Sequence, residues 1–121
     1  MVVLGIDPGS VIIGYGVVER QGSKCRLVAS GCFRPGRDLS FSARLLEIHN
    51  SLLTLVEEVR PDEVALEDVF YGGNQKTLMK MCHARGAILL ALEKAGHTVA
   101  EYAPREVKKA VVGQGGATKE Q

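Results

Sequence analysis

The stretch VVLGIDPGS, Val2 to Ser10, decides how the chain is read, because a run of strand-forming residues ends there on an acid followed by turn chemistry. A short, continuous apolar run closed by Asp7-Pro8-Gly9-Ser10 is the pattern of a strand buried on both faces, expected at the centre of a sheet. Alone, Asp-Pro-Gly is a common turn with Asp at its first position and Pro at its second. Whether Asp7 does chemistry therefore depends on what the fold sets beside it.

Working outward, Ile12 to Glu19 is rich in β-branched residues, and Gln21-Gly22-Ser23 separates it from a third run, Lys24 to Phe33. Two hairpins are the economical reading. Arg34-Pro35-Gly36 breaks the sheet, after which Phe41, Leu45, Ile48, Leu52, Leu55, Val56 and Val59 recur at helical spacing as far as Arg60-Pro61. Val64 to Val69 reads as a fourth strand, Asn74 to Ala95 as a long helix closed by Gly96, and Thr98 to Tyr102 as a fifth strand. Pro104 suits the first turn of a short third helix running to Val112, before the flexible stretch Gly113-Gln114-Gly115-Gly116. The expected fold class is α/β, a five-stranded mixed sheet flanked by helices, in a single domain over residues 1–121.

A net charge of +1 means that affinity for a polyanion must come from local clusters of Lys and Arg, since no global basic field exists. The apolar start is broken at Asp7 and has no basic leader, so a cytoplasmic protein is expected. Cys25, Cys32 and Cys82 show no CxxC spacing; they read as small hydrophobes, with neither a disulfide framework nor a structural zinc site indicated.

A right-handed crossover through the first helix sets the fourth strand parallel to the first, with both carboxyl ends on one edge. Asp7 and Glu67 then stand on strands roughly 4.8 Å apart. Like charges that close either force one group to protonate or recruit a cation, and all-oxygen ligands favour Mg²⁺ or Mn²⁺ over zinc. Glu67 is the more telling of the two, because an acid between Val64-Ala65-Leu66 and Val69-Phe70 is costly unless paired or ligating. Asp68 is expected on the opposite face, where it could cap the following loop.

Three stretches point to a family: GIDPGSVIIGYGVVE (5–19), VALEDVFYGGNQKTLMKMCHARGAI (64–88) and EYAPREVKKAVVGQGGATKEQ (101–121). Together they closely resemble RuvC, the bacterial Holliday junction resolvase, over nearly the whole chain. GIDPGS is shared loosely with other ribonuclease H-like and actin-like proteins; the Glu-x-x-Phe strand end, the helix containing Ala84-Arg85-Gly86 and the Val111-Val112-Gly113 segment are more specific. The resemblance implies a ribonuclease H-like fold, a homodimer and Mg²⁺-dependent symmetric nicking of four-way DNA junctions in recombination and repair. It implies Asp7 and Glu67 as catalytic metal ligands, with Mn²⁺ expected to substitute, and admits a branch-migration helicase complex as a further partner. Proteins of this kind usually end in a further helix carrying two more acidic ligands. The sequence stops at Gln121, where that helix would begin, so this polypeptide is expected to lack it and to be at most weakly active.

DNA contacts are expected from Arg105, Lys108 and Lys109, at helical i, i+3 and i+4 spacing, and from Lys119; a solvated helix surface would show the same spacing, and the resemblance favours Lys108 and Lys119. Phe70 could stack on a base unpaired at the junction, or pack beneath its loop. Lys76, Lys80 and His83 read as a solvated stripe. On the second long helix, Leu78, Met81, Leu89 and Leu92 form one apolar face, and Met79, Cys82, Gly86 and Leu90 another. Burying the first on the sheet leaves the second for a two-fold partner. Two other classes stay open: a non-catalytic junction-binding dimer module, and an actin-like nucleotide-binding domain, for which a second phosphate loop and a second domain are lacking.

Overall fold

The computed structural model describes residues 1–9, 12–68 and 74–102. The strands are β1 (Val2–Pro8), β2 (Ile13–Gln21), β3 (Lys24–Phe33), β4 (Glu63–Glu67) and β5 (Val99–Tyr102), with helices α1 (Phe41–Val59) before β4 and α2 (Gln75–Lys94) before β5. They form one sheet in the order β3-β2-β1-β4-β5, so the apolar run that opens the chain is its central strand. β1–β2 and β2–β3 pair antiparallel, whereas β1–β4 and β4–β5 pair parallel. The anticipated third helix lies outside the described residues.

Each helix is bounded by local chemistry. The Ser40 hydroxyl accepts a hydrogen bond from the Ala43 amide at 3.3 Å and starts α1; at its far end Arg60 takes a left-handed conformation (φ 50°) and donates its N–H to the Val56 carbonyl, with Pro61 following. The Asn74 side chain caps α2 by accepting from the Thr77 amide at 3.1 Å. Gly96, at φ 83°, closes α2 in a Schellman arrangement, with His97 N–H bonded to the Leu92 carbonyl at 2.9 Å and Gly96 N–H to the Glu93 carbonyl at 3.0 Å. Among the described residues, no helix is long and apolar enough to cross a membrane.

The core lies between one face of the sheet and both helices. Leu4 and Ile6 of β1, Ile13 and Val17 of β2, and Val64 and Leu66 of β4 pack with Ile48, Leu52, Leu55 and Val56 of α1 and Ala84, Ile88, Ala91 and Leu92 of α2. The buried stripe of α2 is thus built on alanines and Ile88; of the expected set only Leu92 is fully buried, while Leu78, Met81 and Leu89 are half-buried. Cys25, Cys32 and Cys82 are all exposed free thiols, Cys82 on the stripe of α2 expected to meet a partner.

Register is pinned at the amino ends of the parallel strands. The Val2 amide donates to the Asp62 carboxylate at 2.7 Å, and the Asp62 amide donates to the Val2 carbonyl at 2.8 Å. That lock aligns Leu4 with Val64, Gly5 with Ala65 and Ile6 with Leu66. A one-residue slip would send every side chain of β4 to the other face, so the buried pattern and the Asp62 contacts enforce the same alignment.

Candidate active site

Asp7 and Glu67 lie one step beyond the last aligned pair of β1 and β4, Ile6 with Leu66, and the same register carried forward places them side by side. Side chains alternate along a strand, so Val3, Gly5 and Asp7 share one face with Glu63, Ala65 and Glu67, opposite the face of Leu4, Ile6, Val64 and Leu66 that meets the helices. Both acids therefore project from the same side of neighbouring strands, at a spacing of roughly 4.8 Å. Glu67 is the buried charged residue of the described core, at 6% exposure, and Asp7 is half-buried.

Small residues keep this face open. Gly14 of β2 sits directly across from Asp7, and a β-carbon there would approach the Asp7 Cβ to 4.0 Å. Gly5 and Ala65 are the aligned pair two residues before the acids, the next on the same face. Beyond Pro8, the Gly9 amide donates to the Ile12 carbonyl at 3.1 Å, and any β-carbon at position 9 would run into that carbonyl, so this tight return after Asp7 requires glycine.

Asp68, next to Glu67, points to the helix side as alternation demands. There it forms an ion pair with Arg85 of α2, Nη2 to Oδ1 at 3.2 Å. Sequence reasoning left both the pair and Arg85 unassigned. The available signal was a long cation set in a small and apolar stretch of α2, Ala84 to Leu90, one helix away from an acid at a strand end.

The two carboxylates supply the hard oxygen donors that Mg²⁺ and Mn²⁺ prefer, on a face that the opposing glycine leaves clear, so the residues present fit such an ion. Among the described residues, no cluster of three or more His, Cys, Asp or Glu is placed to hold a metal. His83 instead sets its ring against Phe41 of α1, at 5.8 Å between centroids. Of the expected partner-facing stripe, Met79 is 60% and Leu90 59% exposed, and Cys82 and Gly86 are exposed with open space beside Gly86. Lys76 and Lys80 are exposed, as a solvated stripe requires. Phe70, Arg105, Lys108 and Lys119 lie outside the described residues.

An antiparallel β3-β2-β1 half continued by parallel β4 and β5, with an acid pair on the carboxyl edge of the central strands, is the ribonuclease H-like arrangement. The comparisons narrow this class to one family. The sequence model of crossover junction endodeoxyribonuclease RuvC matches residues 3–121. The relative in Psychromonas ingrahamii is 45% identical over 120 residues, covering 99% of this chain and 69% of the relative. That in Pelobacter propionicus is 49% identical over 121 residues, covering 100% of this chain and 69% of its own length. The structure of Thermus thermophilus RuvC in complex with Holliday junction substrate superposes with a TM-score of 0.84 at 37% identity, over 99% of this chain and 73% of that one. The chain belongs to the RuvC family.

Proposed function

We propose that this protein is a structure-specific DNA endonuclease that resolves Holliday junctions by symmetric, metal-dependent nicking during recombination and repair. Residues 1–121 act as one nuclease domain, and Asp7 and Glu67 are its catalytic carboxylates. The observation that carries the assignment is the β1–β4 register, which delivers two acids sixty residues apart to one face of adjacent strands in a chain of this family. Family membership takes precedence over the actin-like nucleotide-binding alternative.

Asp7 and Glu67 would hold Mg²⁺, with Mn²⁺ as a substitute. When bound, such an ion stabilises the negative charge that develops on the attacking water and the leaving oxygen of a phosphodiester. The protein's own contribution is position. β1 and β4 fix both carboxylates before substrate arrives, Gly14 leaves the adjoining face clear for a phosphate, and the Gly9 turn keeps the chain after Asp7 close to the sheet edge. Phe70 is assigned to stacking on a base at the crossover, and Arg105, Lys108 and Lys119 to phosphates. Junction DNA as the partner is supported by the likeness to Thermus thermophilus RuvC in complex with Holliday junction substrate. Met79, Cys82, Gly86 and Leu90 are assigned to a homodimer interface, since α2 turns this stripe to solvent; two copies related by a two-fold axis would address two opposing strands. A branch-migration helicase complex is a further partner in this reading.

The test uses a synthetic four-way junction. Nicking in Mg²⁺ should disappear in Asp7→Asn and Glu67→Gln, while junction binding measured in chelator persists. Nicking that survives either substitution would overturn the carboxylate roles. Because residues 1–121 are expected to cut weakly at most, the nicking arm uses a chain extended by the expected last helix; binding without nicking by that extended chain would favour the non-catalytic binding module.

A further inference from the structure

We propose that Asp68 and Arg85 form a positioning pair that fixes the end of β4, and with it the orientation of Glu67; the inference rests on the carboxylate reading above. β4 ends at Glu67, and its ladder with β1 ends one residue earlier, at Leu66. At Glu67 the ladder with β1 has ended, and the strand is held on its β5 side alone, where Glu67 stands opposite Tyr102. Asp68 follows Glu67 directly and reaches the opposite face, where Arg85 Nη2 holds its carboxylate at 3.2 Å. The residues on either side of Glu67 are thereby both anchored to the helix layer, Leu66 by complete burial in the core and Asp68 by an ion pair. A side chain whose two neighbours are tied to one face is directed to the other, which is the face it shares with Asp7.

Arg85 is suited to the role. Its side chain is 17% exposed, whereas that of Asp68 is 48% exposed, so the guanidinium is held in the protein while the carboxylate comes to it. The pair lines a groove of about 360 Å³ with Cys82, Gly86 and Leu89. An ion pair with one member this exposed adds little to global stability, so its geometric effect on Glu67 is separable from any effect on folding. Because Cys82 and Gly86 also belong to the exposed stripe of α2, the pair joins the proposed dimer helix to the strand that carries Glu67.

Charge and position predict opposite signs for one substitution. If the pair acted only through its field, Arg85→Gln would remove a positive charge near the carboxylates and tighten divalent-cation binding. As a positioning residue, Arg85 should weaken binding when replaced, as should Asp68.

The experiment measures Mn²⁺ affinity of the whole chain by electron paramagnetic resonance of the free ion, alongside thermal melts. The variants are Asp68→Asn, Arg85→Gln, the double variant of both, and the exchanged pair Asp68→Arg/Arg85→Asp. Losing a residue that orients a metal ligand commonly costs about tenfold in affinity. Each single variant is expected to lose about that much with its melting temperature nearly unchanged. The double variant should be no worse than Arg85→Gln, because the Asp68 contact is already lost there, and the exchanged pair should recover part of the loss. Tightened or unchanged affinity in Arg85→Gln, or additive losses in the double variant, would overturn the proposal. Asp7→Asn separates the two layers. If it abolishes Mn²⁺ binding and Arg85→Gln does not weaken it, only the positioning pair fails; if it leaves binding intact, the carboxylate reading fails and takes this inference with it.

Discussion

Removing the charge from Asp7 and Glu67, singly and together, measures their interaction independently of any other partner each has. The aligned register sets the two strands roughly 4.8 Å apart, with both side chains on one face. Two unit charges about 5 Å apart repel by about 0.8 kcal/mol at the dielectric constant of water and about 3.3 kcal/mol at an effective value near 20. Glu67 is buried and Asp7 half-buried, so the pair falls between these limits, at about 1–3 kcal/mol. A cycle of Asp7→Asn, Glu67→Gln and the double variant, followed by urea unfolding in chelator at low salt, should return a repulsive coupling of that size. For a domain of 121 residues each kcal/mol corresponds to roughly 3–6 °C in melting temperature, within easy reach of calorimetry. Mg²⁺ at ten times its dissociation constant should then stabilise the unsubstituted chain by about 1.4 kcal/mol and reverse the sign of the coupling, since both acids now serve one ion. A coupling of zero, or an attractive one without metal, would show that the two charges do not face each other, and the metal assignment would fall with it.

Three further substitutions probe the parts that support this geometry. Leu66→Ala removes a fully buried side chain directly before Glu67 and should cost about 2–5 kcal/mol in thermal or urea unfolding. Gly9→Ala forces a β-carbon against the Ile12 carbonyl; the turn must shift at a cost of about 1–3 kcal/mol, and Mn²⁺ affinity should fall because Asp7 lies two residues away. Leu90→Glu, at a position 59% exposed, should change stability by no more than about 0.5 kcal/mol yet convert a dimer to a monomer by light scattering; unchanged mass would remove Leu90 from the interface.

The central strand, the hairpins and the parallel partner of β1 were legible because each is written in local residue choice. Val2 to Ile6 is uniformly apolar, Gly22 supplies the positive φ of the β2–β3 turn, and Arg60-Pro61 stops α1 where its periodicity ends. Asp7 and Glu67 became a candidate site only once topology set them on adjacent strands, so their pairing was readable to the extent that the crossover was. The buried stripe of α2 was less so. Counting large apolar residues favoured Leu78, Met81 and Leu89, whereas the helix buries the small side chains of Ala84 and Ala91. Cys25 and Cys32, read as small hydrophobes, lie exposed on edge strand β3, and Cys82 lies on the outer side of α2, the face expected to meet a partner. The Asp68–Arg85 pair joins a strand end to a helix seventeen residues later, and neither residue type nor spacing announces such a contact.

The two faces of the sheet divide the work of folding from the work of holding charge. On the helix side, Leu4, Ile6, Val64 and Leu66 contribute large apolar surface, and there any missing methyl group weakens the core. On the other side, the same strands present Gly5, Ala65 and the two acids, with Gly14 of β2 beside them, residues that give little apolar area and would be poor choices if stability were the only demand. A second carboxylate beside the first is unfavourable by itself, and the metal-binding role proposed above would put that charge to use. The same reasoning makes β1 and β4 the strands on which mutation is most asymmetric. Apolar-to-smaller changes on one face should lower stability with the acid pair intact, and neutralising changes on the other should abolish metal binding while leaving a folded, even strengthened, sheet.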